Sequence, residues 1–437
     1  MSELKRQMHL AVFVLGTGNH SAGWRHEGAF SSNSNWSVMR SIAESAERGK
    51  FDLFFLADTL AVSTGDHPSH QSRFEPLTTL AALGAVTTHV GLGGTVSTSF
   101  SEPYNVARAF ATIDHISGGR AAWNVVTSTV SAAALNFSRE KLHEHDLRYE
   151  VAEEFVNVVL SLWDSWDNDA IVADKSTGTF LNHDKVRAID HKGRFFSVAG
   201  PLNIERGPQG RPVIIQAGGS SKGQELSARV ADVVFSVVQD PTEAQAAYRA
   251  LKTHAAKYGR LPDQISVLPG VMPIVGNTEI EAKEKLDQLQ SWVTETSAMA
   301  LVSQRLGHDI SSYPLDGPVP DFPTTDRSHG FSKAILDLAR RENMTLRDVY
   351  NVTAAARGHR VVYGTAKQIA DTLEHWFLNE MADGFMILPP YFPGAFDDFV
   401  DLVVPELQKR KLFRTEYSGA TLRDHLGLKQ PPSHTKT

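Results

Sequence analysis

The chain has 437 residues, no cysteine and a formal net charge of −7. Without a thiol there is no disulfide framework, thiolate zinc site, cysteine-ligated cluster or cysteine nucleophile, so any redox work needs a bound cofactor. A composition 41% hydrophobic and 21% charged is that of a folded globular protein, and mild acidity without runs of like charge excludes nucleic acid as a partner.

The N-terminal stretch from Met1 to Gly16 reaches polar and glycine residues after a short apolar run. That fits neither a secretory core nor a membrane span, and a cytoplasmic protein with no membrane partner is expected. The first predicted strand is His9 to Leu15, followed by a Gly/Ser/Asn-rich loop and a helix from about Trp36 to Arg48. The run from Leu53 to Asp58 is almost continuously apolar and reads as a strand buried on both faces. Val90 to Ser97, Ala121 to Thr127, Pro212 to Ala217, Val233 to Val238, Ile265 to Val275 and Phe385 to Leu388 complete eight predicted strands, with helical segments between most of them. This alternation predicts an α/β fold with a parallel sheet.

Two stretches interrupt the spacing, roughly Asp169 to Arg211 and Glu295 to Thr345. The second contains Pro314, Pro318 and Pro320, which exclude a regular helix there, and both are expected to be structureless lids or binding loops. Thr345-Leu346-Arg347-Asp348 has the form of a capping box that restarts a helix. The polar tail beyond Glu406 is expected to wrap a neighbour as an arm or to fray. The pattern leaves a closed (β/α)8 barrel and an open doubly wound sheet both possible; in either, ligands sit at the carboxyl ends of the strands.

Asp58 ends the second strand, as a turn acid or as a hydrogen-bonding group at a cavity rim. Gly91-Leu92-Gly93-Gly94-Thr95 lacks the third glycine of a dinucleotide fingerprint; its small residues would instead let a flat ligand approach the backbone, with Thr95 as a polar contact. His143 and His145 suggest metal, but residues two apart diverge on a helix and no third ligand is near. His145 and Tyr149 are four apart at the start of an amphipathic helix, where anions are favoured, although a capping His and a packed Tyr is the plainer reading. Gly218-Gly219-Ser220-Ser221-Lys222-Gly223 follows a strand and opens a helix. That context suits a nucleophile elbow on Ser221, a phosphate cradle or a plain turn. An elbow needs a base, and neither His375 nor His425 lies in a clear strand-end loop.

Longer segments carry a resemblance. They include Leu56-Ala57-Asp58, Ser101-Glu102-Pro103-Tyr104-Asn105, Ser117-Gly118-Gly119-Arg120-Ala121-Ala122-Trp123-Asn124, His145-Asp146 with Arg148-Tyr149, Gln216-Ala217-Gly218 with Ser220, and Thr421-Leu422-Arg423. With these the chain resembles the bacterial luciferase-like flavin monooxygenases, in the branch of the nitrilotriacetate, EDTA and dibenzothiophene-sulfone monooxygenases. The resemblance implies a (β/α)8 TIM barrel as a single domain over residues 1–437, with insertions after strand 4 and strand 7 and a C-terminal arm from about 407. It implies reduced FMN from a separate NAD(P)H-dependent flavin reductase, O2 as co-substrate and a homodimer or homotetramer. Carried over by position, Asp58 and Thr95 match residues beside the isoalloxazine. His145, Tyr149 and Ser220 match those on the phosphate side, with Gly218 and Ser221 in the same turn, and Asn124 faces the pocket. Asn124 and His145 are the catalytic candidates. Lys411 departs from the family, which commonly has glycine there.

The implied mechanism forms a C4a-peroxyflavin protected from water, oxygenates carbon beside nitrogen or sulfur, and ends in C–N or C–S cleavage. Trp24, Arg25 and His26, after the first strand, are candidates for substrate contact, since Arg25 would suit a carboxylate or sulfonyl oxygen; the alternative is a solvated loop. Cleavage of flavin itself or another heterocycle, a serine hydrolase on Ser221 and a non-catalytic flavin binder are the competing readings.

Overall fold

In the computed structural model residues 6–62, 68–322 and 329–433 are described, so part of the second insert and both chain ends lie outside the described residues. The apolar runs form parallel strands β1 (His9–Val14), β2 (Leu53–Leu56), β3 (Gly91–Ser97) and β4 (Ala121–Val126). Two small hairpins follow, β5 (Ile171–Asp174) with β6 (Thr179–Leu181) and β7 (His191–Lys192) with β8 (Ser197–Val198). The parallel sheet resumes with β9 (Val213–Gln216), β10 (Val233–Ser236), β11 (Ser266–Val275), β12 (Arg360–Gly364) and β13 (Gly384–Ile387).

Each strand from β1 to β4 pairs with the next, β4 pairs with β9, β9 with β10, β10 with β11, β11 with β13, and β13 with β1. The ring closes, so the fold is a (β/α)8 barrel, not an open sheet. The ninth strand, β12, was not anticipated from the sequence. It pairs with Val271 to Val275, the outer half of the ten-residue β11, which outruns the barrel wall.

Up to Leu378 the α-helices are α1 (Trp36–Arg48), α2 (Pro76–Gly84), α3 (Pro103–Ser117), α4 (Ala132–Leu135), α5 (His145–Trp163), α6 (Ser221–Val230), α7 (Pro241–Ala256), α8 (Glu279–Ser291), α9 (Glu295–Leu306), α10 (His329–Arg341), α11 (Leu346–Ala356) and α12 (Ala366–Leu378). Their starts follow capping chemistry. Asn35, Glu75 and Asp240 accept backbone N–H groups of the first turn, and Thr345 and Thr365 form capping boxes, each cap contributing about 1 kcal/mol.

Alternation along the strands makes two apolar layers. Ala11, Leu53, Phe55, Ala122, Ile215 and Met386 fill the barrel interior. Leu10, Val12, Phe54, Trp123 and Phe385 face outward beneath the helices. Trp123 anchors that outer layer, 5.8 Å from Phe155 and 6.3 Å from Trp163 between ring centroids.

The β3 glycines serve this packing, which corrects the expectation of room for a flat ligand. A Cβ on Gly93 would meet Ile215 and Leu53 at 3.1 Å, and one on Gly94 would meet Leu80 of α2 at 2.7 Å. Of that segment only Thr95 reaches the mouth as a polar contact.

Neither insert is structureless where described. The first carries the two hairpins, fastened by Glu154 of α5, which accepts from the backbone N–H groups of Arg194, Phe195 and Phe196. The second contains α9, α10 and α11, whose Val302, Leu306, Ile335, Ala339 and Val349 share a separate apolar core. The tail neither frays nor leaves the molecule over its described length to 433. Leu422, Leu426 and Leu428 are buried against the amino-terminal end of the barrel, and Arg206 donates to the carbonyl of Pro431 at 2.7 Å. Leu422 opens the short helix Leu422–His425, Leu426 caps it and Leu428 follows, and all three pack with the interior residues of the barrel floor.

Candidate active site

At the carboxyl end of the barrel the alternation that buries Trp123 turns Asn124 inward. Asn124 stands in register with Thr95 of β3 and donates Nδ2–H to Thr95 Oγ1 at 2.9 Å. Both residues are buried, and Asn124 Oδ1 has no hydrogen-bond partner among the described residues. The facing wall is aromatic. Phe13 stacks on Phe55 at 5.3 Å and lies 5.3 Å from Phe235, against which His359 lies flat at 4.9 Å. The mouth therefore has one polar side and one aromatic side.

Asp58 sits just past β2 and accepts from the N–H of Thr59 at 2.7 Å. Burial pushes its carboxyl above the usual range, opposed by that hydrogen bond and by the Arg73 guanidinium. Sequence reasoning missed Arg73, which comes from the loop that returns toward the mouth.

Beside β4, the β9–α6 turn and the start of α5 form a cradle. The Tyr149 hydroxyl lies 2.9 Å and 2.8 Å from where Cβ atoms of Gly218 and Gly223 would stand, so both positions need glycine. The His145 ring lies 5.0 Å from that of Tyr149, and its Nδ1 lies 2.9 Å from Asp146 Oδ1. Ser220 is the N-cap of α6: its Oγ accepts from Gly223 N–H at 3.2 Å, leaving its own proton to donate outward. Ser221 follows as the first helical residue, exposed, with Lys222 beside it. Two helix N-termini, free N–H groups and a lysine favour an anion here.

Arg148, one position before Tyr149, is buried and donates to the carbonyl of Ser128, whose φ is +54°. Ser128 Oγ meets Ser97 Oγ at 2.7 Å, so Arg148 braces the loop after β4 against β3. A charged residue on the buried side of an amphipathic helix was the signal for it.

A nucleophile elbow is not formed. Ser221 has helical backbone, His375 lies in the last turn of α12 beside Asn379, and His425 is buried at the opposite end of the barrel. The segment Trp24 to His26 does stand past β1, in and beside a short 3-10 turn, but its side chains are engaged separately. Arg25 donates to the carbonyl of Trp292 at 2.6 Å, His26 stacks on Tyr391 at 3.9 Å, and Trp24 is exposed. Gly28 N–H reaches His26 Nδ1 at 3.1 Å, which places the imidazole proton of the neutral ring on Nε2.

A closed parallel barrel whose carboxyl-end mouth joins two helix N-termini to a half-polar, half-aromatic wall is the architecture of a small-ligand site. Residues 8–378 match the family described as luciferase-like monooxygenase, and the chain belongs to that family. It is 46% identical over 435 residues to N-acetyl-S-(2-succino)cysteine monooxygenase of Bacillus subtilis (strain 168), covering 99% of both chains. It is also 46% identical over 442 residues to nitrilotriacetate monooxygenase component A of Aminobacter aminovorans, covering 98% of this chain and 97% of that one. Among solved structures it is similar to EDTA monooxygenase from Chelativorans sp. BNC1, with a TM-score of 0.85, 33% identity and coverage of 98% and 100%. It is likewise similar to a riboflavin lyase solved with modified FMN and riboflavin, with a TM-score of 0.87, 31% identity and coverage of 98% and 97%.

The residues present fit FMN. Gly218 and Gly223 let the Tyr149 hydroxyl reach the turn that opens α6, and the buried Asn124 Oδ1 lacks the donor that a ring N–H would supply.

Proposed function

We propose that this chain is the oxygenating component of a two-component system. It takes reduced FMN from a separate NAD(P)H-dependent flavin reductase and uses O2 to oxygenate a small nitrogen- or sulfur-containing compound, with C–N or C–S cleavage following. The observation that carries this reading is the joining, in one mouth, of the Gly218–Gly223 cradle to the Thr95–Asn124 pair. The relatives named above support it, one of them being a "component A".

When bound, the reduced flavin supplies two electrons, so that one oxygen atom enters the substrate and the other leaves as water. The protein groups do the rest. Tyr149, His145, Ser220 and the first N–H groups of α6, at Ser221 and beyond Gly218, hold the phosphate. Thr95, Asn124 and Asp58 border the ring. Phe13, Phe55 and Phe235 keep water from one side of the mouth. Arg25 and the Nε2–H of His26 orient a substrate carboxylate, with Trp24 as an apolar wall. The end of α8 roofs this segment through its C-cap Trp292. The same reading has the chain acting as one domain, as a cytoplasmic homodimer or homotetramer. No described helix is long and apolar enough to cross a membrane.

A panel of thioether, aminocarboxylate and sulfone substrates, run with a generic flavin reductase under 18O2, tests the proposal. Product carrying one 18O atom supports it; reduced flavin consumed with no product from any class contradicts it. The similarity to a riboflavin lyase favours one second reading, cleavage of the flavin itself, which loss of flavin without added substrate would reveal.

A further inference from the structure

We propose that Arg73 is a specificity-determining residue, which holds a carboxylate of the substrate in a crevice at the carboxyl ends of β1 and β2. The inference rests on the oxygenase reading above and adds to it a class of substrate, an organic acid.

Val14 and Leu56 are the last residues of β1 and β2, and with Leu15, Met39 and Phe74 they line a crevice of about 250 Å3, its open face included. Arg73 is the one charged side chain in that lining among the described residues. Asn33, which also lines it, is committed at both ends of its amide. Its Oδ1 accepts from Thr17 N–H at 2.9 Å, and its Nδ2 donates to the carbonyl of Pro68 at 2.7 Å.

The Arg73 guanidinium is half-buried and has one acceptor among the described residues, the carbonyl of Ser69. Neither neighbouring acid pairs with it. Glu75 spends both carboxylate oxygens on the N–H groups of Leu77 and Thr78 at the start of α2, and Asp58 accepts from Thr59. Burial lowers the Arg73 pKa, with only the field of Asp58 opposing it. A cation in an apolar crevice is stabilised by an anion, and a carboxylate matches the fork of a guanidinium.

The flavin phosphate is not that anion. Its cradle follows β9, and in the ring of strands β4 and β3 stand between β9 and β2, so the crevice lies across the mouth from it. A flavin ring bordered by Thr95, Asn124 and Asp58 leaves the crevice to the substrate.

Calorimetric titration of the flavin-free protein with thiodiacetate, a thioether between two carboxylates, and with its dimethyl ester tests the assignment. The acid should bind about 10- to 100-fold more tightly than the ester, the scale of a charge-assisted hydrogen bond. Arg73→Gln should bring the acid to the level of the ester, and Arg73→Lys, which keeps the charge without the fork, should recover part of the difference. Because Arg73→Gln removes an under-paired cation, it should melt no lower than the unaltered protein, whereas loss of a merely structural arginine would lower the melting temperature. Its FMN affinity should stay within about twofold. Equal binding of acid and ester by the unaltered protein, unchanged acid affinity in Arg73→Gln, or a loss of FMN affinity as large as the loss of acid would each overturn the assignment. If the acid binds through Arg73 but no compound of the substrate panel yields 18O-labelled product, the anion site stands and the oxygenase reading falls.

Discussion

Arg414, from the tail, forms an ion pair with Asp52 at the closed end of the barrel, with 5% and 1% of the two side chains exposed. Asp52 also accepts from Leu10 N–H at 2.8 Å and faces His9 Nδ1 at 3.1 Å. Burial raises the Asp52 carboxyl, but Arg414 and His9 together with the hydrogen bonds more than offset it, and its pKa is lowered. A depressed acid contributes stability that is present above its unfolded value near ~3.9 and is lost as pH falls through the folded value. Arg414→Ala should therefore cost about 3–5 kcal/mol at pH 7, because it strands a buried carboxylate. The deficit should shrink as pH drops below 4. Thermal unfolding of both proteins from pH 7 to pH 3 checks this; a constant deficit would show that the pair's charge is not the cause.

Asp114 shows the opposite sign. Its Oδ1 accepts from Gln209 at 2.6 Å and from Ala121 N–H at 3.2 Å, while Oδ2 is buried without a partner among the described residues. Burial, opposed by the Gln209 hydrogen bond, pushes its pKa up to about 6. The favoured folded form is neutral, so its contribution is full below the unfolded value and lost as pH rises through about 6. Asp114→Asn should raise the melting temperature at pH 8 and change it little at pH 4.

Ser220 has two roles that substitution can separate. Ser220→Ala removes the α6 cap, worth about 1 kcal/mol, and a phosphate donor worth about 1–2 kcal/mol, so both the melting temperature and FMN affinity should fall. Ser220→Asp keeps a capping acceptor but sets a negative charge in the cradle. Stability near that of the unaltered protein with FMN binding abolished is the expected result; retained binding would remove the phosphate from this turn.

Lys411 has a φ of +59°, in the left-handed region that glycine adopts without strain. Lys411→Gly should stabilise by about 1 kcal/mol, with unchanged flavin affinity, as read by denaturant unfolding and fluorescence titration.

Much of the barrel was legible because buried parallel strands read as short apolar runs, and those from Leu53 and Val90 do so plainly. Strand β12 was not, because Arg360, Val361 and Val362 pair only with the overhang of β11. The second insert looked irregular from its prolines, yet helices α9 and α10 bury a local core beside them. The cradle was legible as Gly and Ser residues between a strand and a helix. The Thr95–Asn124 pair was only half legible: both residues drew notice, but their bond depends on the register of two strands. The β3 glycines misled, since the same small residues admit a ligand or a neighbouring side chain, and Ile215 and Leu80 decide which.

Anaerobic titration of the unaltered protein with reduced FMN reads binding at the barrel mouth without any need to know the substrate. Saturable binding at one site per chain is expected, lost in Gly218→Ala, whose Cβ would stand 2.9 Å from the Tyr149 hydroxyl. A protein with intact thermal unfolding but no affinity for reduced FMN would contradict it.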